Sequence, residues 1–147
     1  MKQLDILRSA NLIRNGEWAK NAATGEPVEL PLSFHGLELT GEVGELGNVL
    51  KKLERERYGL PGSRATRQQL LQEVGDAMIC LDKVCMLLGV SIWEATMYSF
   101  NTKSEEMGFH TKLTENGHTR PPDLNRDAPK DVQEQFDRMF PKGDDNA

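Results

Sequence analysis

The chain has 147 residues, 37% of them hydrophobic, enough for one domain with a single core. Its net charge of −5 argues against a general binder of nucleic-acid polymers, which carries a basic face. Its uncharged apolar stretches are too short to cross a bilayer and no basic-then-apolar leader opens the sequence, so the expectation is a soluble cytoplasmic domain with no membrane partner.

Residues 3–20 read as a first helix, with Ile6, Ala10 and Ile13 spaced for one buried face. Asn11, Arg14 and Trp18 fall at i, i+3 and i+7 and form a second, mixed row. That row has two readings. It is a solvated flank with a tryptophan closing the core edge, or a ligand wall with an aromatic plane beside an amide and a guanidinium. Residues 22–32, with Thr24-Gly25-Glu26-Pro27, read as a loop.

A second helix is expected over 33–57. Leu39, Val43, Leu46, Leu50 and Leu53 stay within about 40° of one direction. Glu38, Glu42 and Glu45 lie about 60–120° to one side of that row, so they flank the core. Gly41, Gly44 and Gly47 each cost about 1 kcal/mol of helix propensity against alanine, which suggests close approach by a partner helix or a ligand.

Residues 58–65 break the helix with glycine and proline, and Thr66-Arg67-Gln68-Gln69 has the form of a capping box opening a third helix. Its apolar row is Leu70, Val74, Ala77, Leu81, Val84 and Leu88, ended by Gly89. Cys80 and Cys85 lie on this helix, roughly 7–8 Å apart, too far for a bridge, and read as buried thiols. Ser91-Ile92-Trp93-Glu94 is a second capping box, starting a fourth helix that stops near Gly108. Past Phe109 the chain turns polar and carries Pro121-Pro122, an arm with one short helix at 129–140. No strand pattern stands out, so the fold class is all-α.

Two stretches match each other. In LTGEVGELGNVLKKL (39–53) and LLQEVGDAMICLDKV (70–84), Glu42 meets Glu73, Glu45 meets Asp76 and Lys52 meets Lys83. Glu73 and Asp76 have the same offset from their apolar row as Glu42 and Glu45 have from theirs. Packing the two rows together brings four carboxylates to one seam, where they repel and are costly to desolvate without a cation. Oxygen donors suit Mg²⁺ or Mn²⁺, and His35, His110 and His118 make no zinc-like spacing. The competing reading is ordinary helix-surface acids. Lys51, Lys52, Arg55, Arg57, Arg64 and Arg67 lie between the acid pairs, a polarity suited to a polyphosphate, though most also read as a solvated face. No P-loop motif and no Cys-His or Ser-His-Asp arrangement is present.

Glu42-Val43-Gly44-Glu45 followed by Glu73-Val74-Gly75-Asp76 resembles the signature of the MazG-like, all-α nucleoside triphosphate pyrophosphohydrolases, in particular their small phage and prophage members. Phe100-Asn101-Thr102-Lys103 resembles the Asn-x-Lys that this family places near the phosphates. The likeness covers roughly 4–109. One departure is Gly41, where many members carry a further Glu; Glu38, one turn earlier, reaches the same area.

The resemblance implies a four-helix MazG-like bundle over 1–109 and a polar arm over 110–147. It implies Mg²⁺-dependent hydrolysis of a (deoxy)nucleoside triphosphate to monophosphate and pyrophosphate, with Mn²⁺ able to substitute. Glu42, Glu45, Glu73 and Asp76 would be catalytic metal ligands, with Glu38 as support or as a base that orients water. Lys103 and Asn101, with Arg64 and Lys52, would hold phosphate oxygens. Trp18, Asn11 and Arg14 would meet the base and sugar, an arrangement suited to a purine such as dGTP or GTP. A homodimer or homotetramer follows, in the host cytoplasm if the chain is phage-encoded. The alternatives are a dUTP or nucleoside-diphosphate hydrolase of the same superfamily, and a non-catalytic helical dimerisation module.

Overall fold

A computed structural model describes residues 2–119; the helix expected at 129–140 lies outside them. Among the described residues there are four helices: α1 (Lys2–Trp18), α2 (Leu32–Arg57), α3 (Arg67–Leu87) and α4 (Ile92–Glu106). The fold is all-α. Among the described residues no helix is long and apolar enough to cross a membrane.

Local chemistry sets the helix ends. Thr66 Oγ1 accepts from the Gln69 amide at 3.1 Å while the Gln69 side chain accepts from the Thr66 amide at 2.8 Å. Ser91 and Glu94 repeat the exchange at 3.0 and 2.6 Å. The helix starts read from the sequence therefore hold. At the other ends, Gly59, Gly89 and Gly108 take φ of 65°, 70° and 70°, left-handed backbone that glycine enters without a Cβ penalty. The amides that follow them close back onto Arg55, Cys85 and Ser104 at 2.8, 3.1 and 2.7 Å.

α3 is the central element and packs against α2, α1 and α4. Among the described residues the buried apolar ones are few: Ala19, Val49, Leu70, Cys80, Cys85 and Ile92. Both cysteines are free thiols, and burial pushes each above its ordinary pKa.

The packed faces differ from the expected rows. On α1, Ile6 and Ile13 are 65% and 64% exposed and Ala10 is exposed too. The inward face carries Leu4, Leu7, Arg8, Asn11 and Asn15 instead, because α3 offers it a buried carboxylate, Asp82. On α2, Val43 and Leu50 are exposed, while His35, Glu38, Glu42, Leu46, Val49 and Leu53 turn inward. The buried face is rotated about 50° toward the acids at about 100° per residue. α3 supplies Lys83 to Glu38 across the seam, so polar side chains are tolerated where an apolar row was expected. Val74 on α3 and Leu88 at its C-cap are exposed as well. A Cβ at Gly41, Gly44, Gly47 or Gly75 would meet nothing within 4 Å, so no described part of this chain makes the expected close approach.

One small strand pair has no counterpart in the sequence reading. Leu113–Thr114 and Gly117–His118 form a small antiparallel hairpin, β1 and β2, within the stretch expected to be polar arm. Strands of two residues are too short for a period-2 pattern to register; only Asn116-Gly117 is a hairpin signal.

Candidate metal and substrate site

Glu42 on α2 meets Asp76 on α3, and Glu38, one turn earlier, meets Lys83, two turns later, so the two helices run antiparallel. Glu73 and Asp76, three apart on α3, project to one side and meet Glu42 from α2. Ligand oxygens of Glu42, Glu73 and Asp76 lie within 4.8 Å of one another, all half-buried. Burial first, then the charges of Asp76, Glu45, Glu73 and Glu38, holds the Glu42 carboxyl above its ordinary value of 4.5. Glu45, the fourth expected ligand, stays outside the cluster and is exposed.

This donor set fits a hard divalent cation. It is all carboxylate oxygen, with no histidine or cysteine in the group. Oxygens that share one Mg²⁺ at about 2.1 Å lie roughly 3–4 Å apart, a spacing the 4.8 Å bound on this group allows. Burial first, and then the neighbouring carboxylates, raise the Glu42 carboxyl, and a cation would offset both.

Beside the triad lies a second cluster. Lys83 Nζ donates to both oxygens of Glu38 at 3.2 Å, and His35 Nδ1 lies 2.7 Å from Glu38 Oε2. The Lys83 ammonium also sits 5.5 Å from the centroid of the Trp18 ring. Phe34 lies 6.5 Å from Trp18, centroid to centroid, and meets His35 edge-on at 5.7 Å. His35 is 1% exposed, whereas Trp18 keeps 60% of its surface open, which leaves a ring available for stacking. Glu38 is therefore held in place by a lysine and a histidine. Phe34, His35 and Lys83 were not singled out for the site from the sequence. The available signal for Lys83 was its match to Lys52, since each follows the second acid of its pair by seven residues.

The other candidates scatter. Asn11 is buried, and its amide donates to Asp82 Oδ2 at 2.9 Å, so it does not line a wall with Trp18; Arg14 is exposed. Both ends of the Asn101 amide are engaged by Leu113, donating to its carbonyl at 2.9 Å and accepting from its amide at 2.7 Å. That pair pins the β1–β2 hairpin to α4. Lys103 is exposed and pairs with Glu106 at 3.0 Å. Arg64 is exposed and donates to the Leu60 carbonyl at 3.3 Å. Lys52 is half-buried, two turns beyond Glu45 on the same face of α2. A groove of about 440 Å³ between α3 and α4, lined by residues such as Leu81, Cys85, Ile92 and Phe100, contains none of the acids. Thr96 and Ser99 are the polar residues of its lining, and no Lys or Arg lines it.

No protein-family model, curated protein or solved structure matches the chain.

Proposed function

We propose that the chain is a MazG-like nucleoside triphosphate pyrophosphohydrolase. The observation that carries the reading is the convergence of Glu42, Glu73 and Asp76 from two helices, with Glu42 held above its ordinary pKa. Building such a repulsive group into a helix seam is costly, and a site for a divalent ion on a polyphosphate gives it a purpose. Mg²⁺ held by these three residues would neutralise phosphate charge and make water a better nucleophile near neutral pH.

The chain's own residues supply the rest. Glu45, exposed and one turn from the triad, is the carboxylate left to accept a proton from the attacking water. As water adds to the α-phosphorus, the bond to the bridging oxygen breaks and pyrophosphate leaves. Lys52, two turns from Glu45 on the same face of α2, would take phosphate oxygens. The open face of Trp18, backed by Lys83 and Phe34, would stack on the base, and a purine offers it the larger ring. Glu38, oriented by Lys83 and His35, supports the edge between base and metal. The exposed apolar residues Val43, Leu50, Val74 and Met78 favour a homodimer or homotetramer.

The same exposed residues also favour the non-catalytic dimerisation module, so the test must separate the two. It is pyrophosphate release from each common NTP and dNTP, dUTP included, with Mg²⁺, Mn²⁺ or EDTA. Metal-dependent release that disappears in Glu73→Gln is the expected result. Release of orthophosphate from nucleoside diphosphates would instead favour the diphosphate hydrolase. A folded protein inert toward all of them would leave the dimerisation module.

A further inference from the structure

Asp82 is 2% exposed and belongs to no part of the triad. Its two oxygens are taken by two residues one turn apart on α1: Arg8 Nε at 2.9 Å on Oδ1 and Asn11 Nδ2 at 2.9 Å on Oδ2. Arg8 Nη2 also donates to the Val90 carbonyl at 2.9 Å, and Asn11 Nδ2 reaches the Ile79 carbonyl at 3.4 Å. A two-point attachment of this kind fixes rotation as well as position. Apolar packing is thin here: of the apolar residues of α1, Leu4 and Leu7 are half-buried while Ile6 and Ile13 face away from the fold.

The next residue of α3 grips the far end of the same helix, since Lys83 lies against the Trp18 ring and bonds Glu38. Trp18 is two turns beyond Asn11, so rotating α1 by one residue, about 100°, would carry the indole off Lys83. We propose that Asp82 is a positioning residue. Its carboxylate fixes the rotation of α1 on α3, and so holds Trp18 against Lys83, the lysine that bonds Glu38, where a nucleobase would stack. A buried ion pair is weak support for stability, and apolar replacement of both partners is often neutral, so orientation is the property it can supply.

The experiment uses the full chain with Trp93→Phe, which leaves Trp18 as the sole tryptophan of two. Asp82→Asn, Asn11→Ala and the double variant Arg8→Met/Asp82→Leu are compared by melting temperature, Trp18 emission with acrylamide quenching, and steady-state kinetics. Asp82→Asn should lose stability, red-shift Trp18 and quench more readily; Asn11→Ala, which keeps the ion pair, should shift Trp18 with less loss of melting temperature. The decisive case is the double variant. Its melting temperature should recover while Trp18 stays shifted and KM stays about tenfold raised at nearly constant kcat, the signature of lost uniform binding. Wild-type emission and KM returning together with the melting temperature would overturn the proposal, leaving Asp82 a purely structural residue. The KM readout rests on the pyrophosphohydrolase reading and the emission readout does not. No turnover with a shifted Trp18 overturns only that reading, and an unshifted Trp18 overturns the positioning.

Discussion

Replacing Glu42 by glutamine should stabilise the protein without metal and remove its stabilisation by metal. At the 4.8 Å that bounds the triad, each like-charge contact costs about 0.9 kcal/mol at the dielectric of water and about 3.5 kcal/mol at an effective value near 20. Glu42 has two such contacts, with Glu73 and Asp76, or about 2 kcal/mol at the watery limit. Half-buried carboxylates rotate partly into solvent, which lowers the expected gain in Glu42→Gln to about 1 kcal/mol, or about 4 °C in Tm. Mg²⁺ at ten times its dissociation constant should add about 1.4 kcal/mol to the wild type, about 6 °C, and little to the variant. Differential scanning fluorimetry in EDTA and in Mg²⁺ reads both effects. The pH dependence has a definite sign. Because the folded-state pKa of Glu42 lies above the ordinary 4.5, the native state must ionise it at a cost. Wild-type apo stability from this group is intact below 4.5 and falls as pH rises through the raised folded value, so the advantage of Glu42→Gln grows across that window. An apo Tm lowered by the substitution, or an undiminished Mg²⁺ shift, would refute the reasoning.

Three further outcomes are expected. In pyrophosphate-release assays Glu73→Gln should abolish turnover, while Glu45→Gln, outside the triad, should retain Mg²⁺ binding and lose about 10²–10⁴-fold in rate, the range for a proton acceptor. Thr66→Ala should cost about 1 kcal/mol by chemical denaturation, through loss of the α3 cap, with no change in Mg²⁺ affinity. Asn101→Ala should cost about 1–3 kcal/mol and speed amide exchange around Leu113, since it leaves that residue's amide and carbonyl unpaired. A rise in KM with normal exchange would return Asn101 to the substrate.

What was legible in the sequence was mostly local. Thr66 and Ser91 announce their helices through bonds formed within four residues, and Gly59, Gly89 and Gly108 close theirs the same way. The acid repeat was legible because i, i+3 spacing on one helix needs no knowledge of its neighbour. Rotation of the helices was not, since it depends on tertiary partners. Ile6 and Ile13 have the periodicity of a buried face, yet Asp82, seventy residues away, draws Arg8 and Asn11 inward in their place. The same rotation separates Glu42, which enters the seam, from Glu45, which stays outside, a distinction that equal spacing cannot encode. Asn101 matched a motif, but the hairpin that occupies its amide has strands too short to read.

The most direct test of the proposed metal site is Mn²⁺ binding, followed by electron paramagnetic resonance, to the wild type, Asp76→Asn and Glu45→Gln. Binding that is present in the wild type, kept in Glu45→Gln and lost in Asp76→Asn is the expected result. Equal binding by the wild type and Asp76→Asn, with both proteins folded, would contradict the assignment of Glu42, Glu73 and Asp76 as the metal-holding triad.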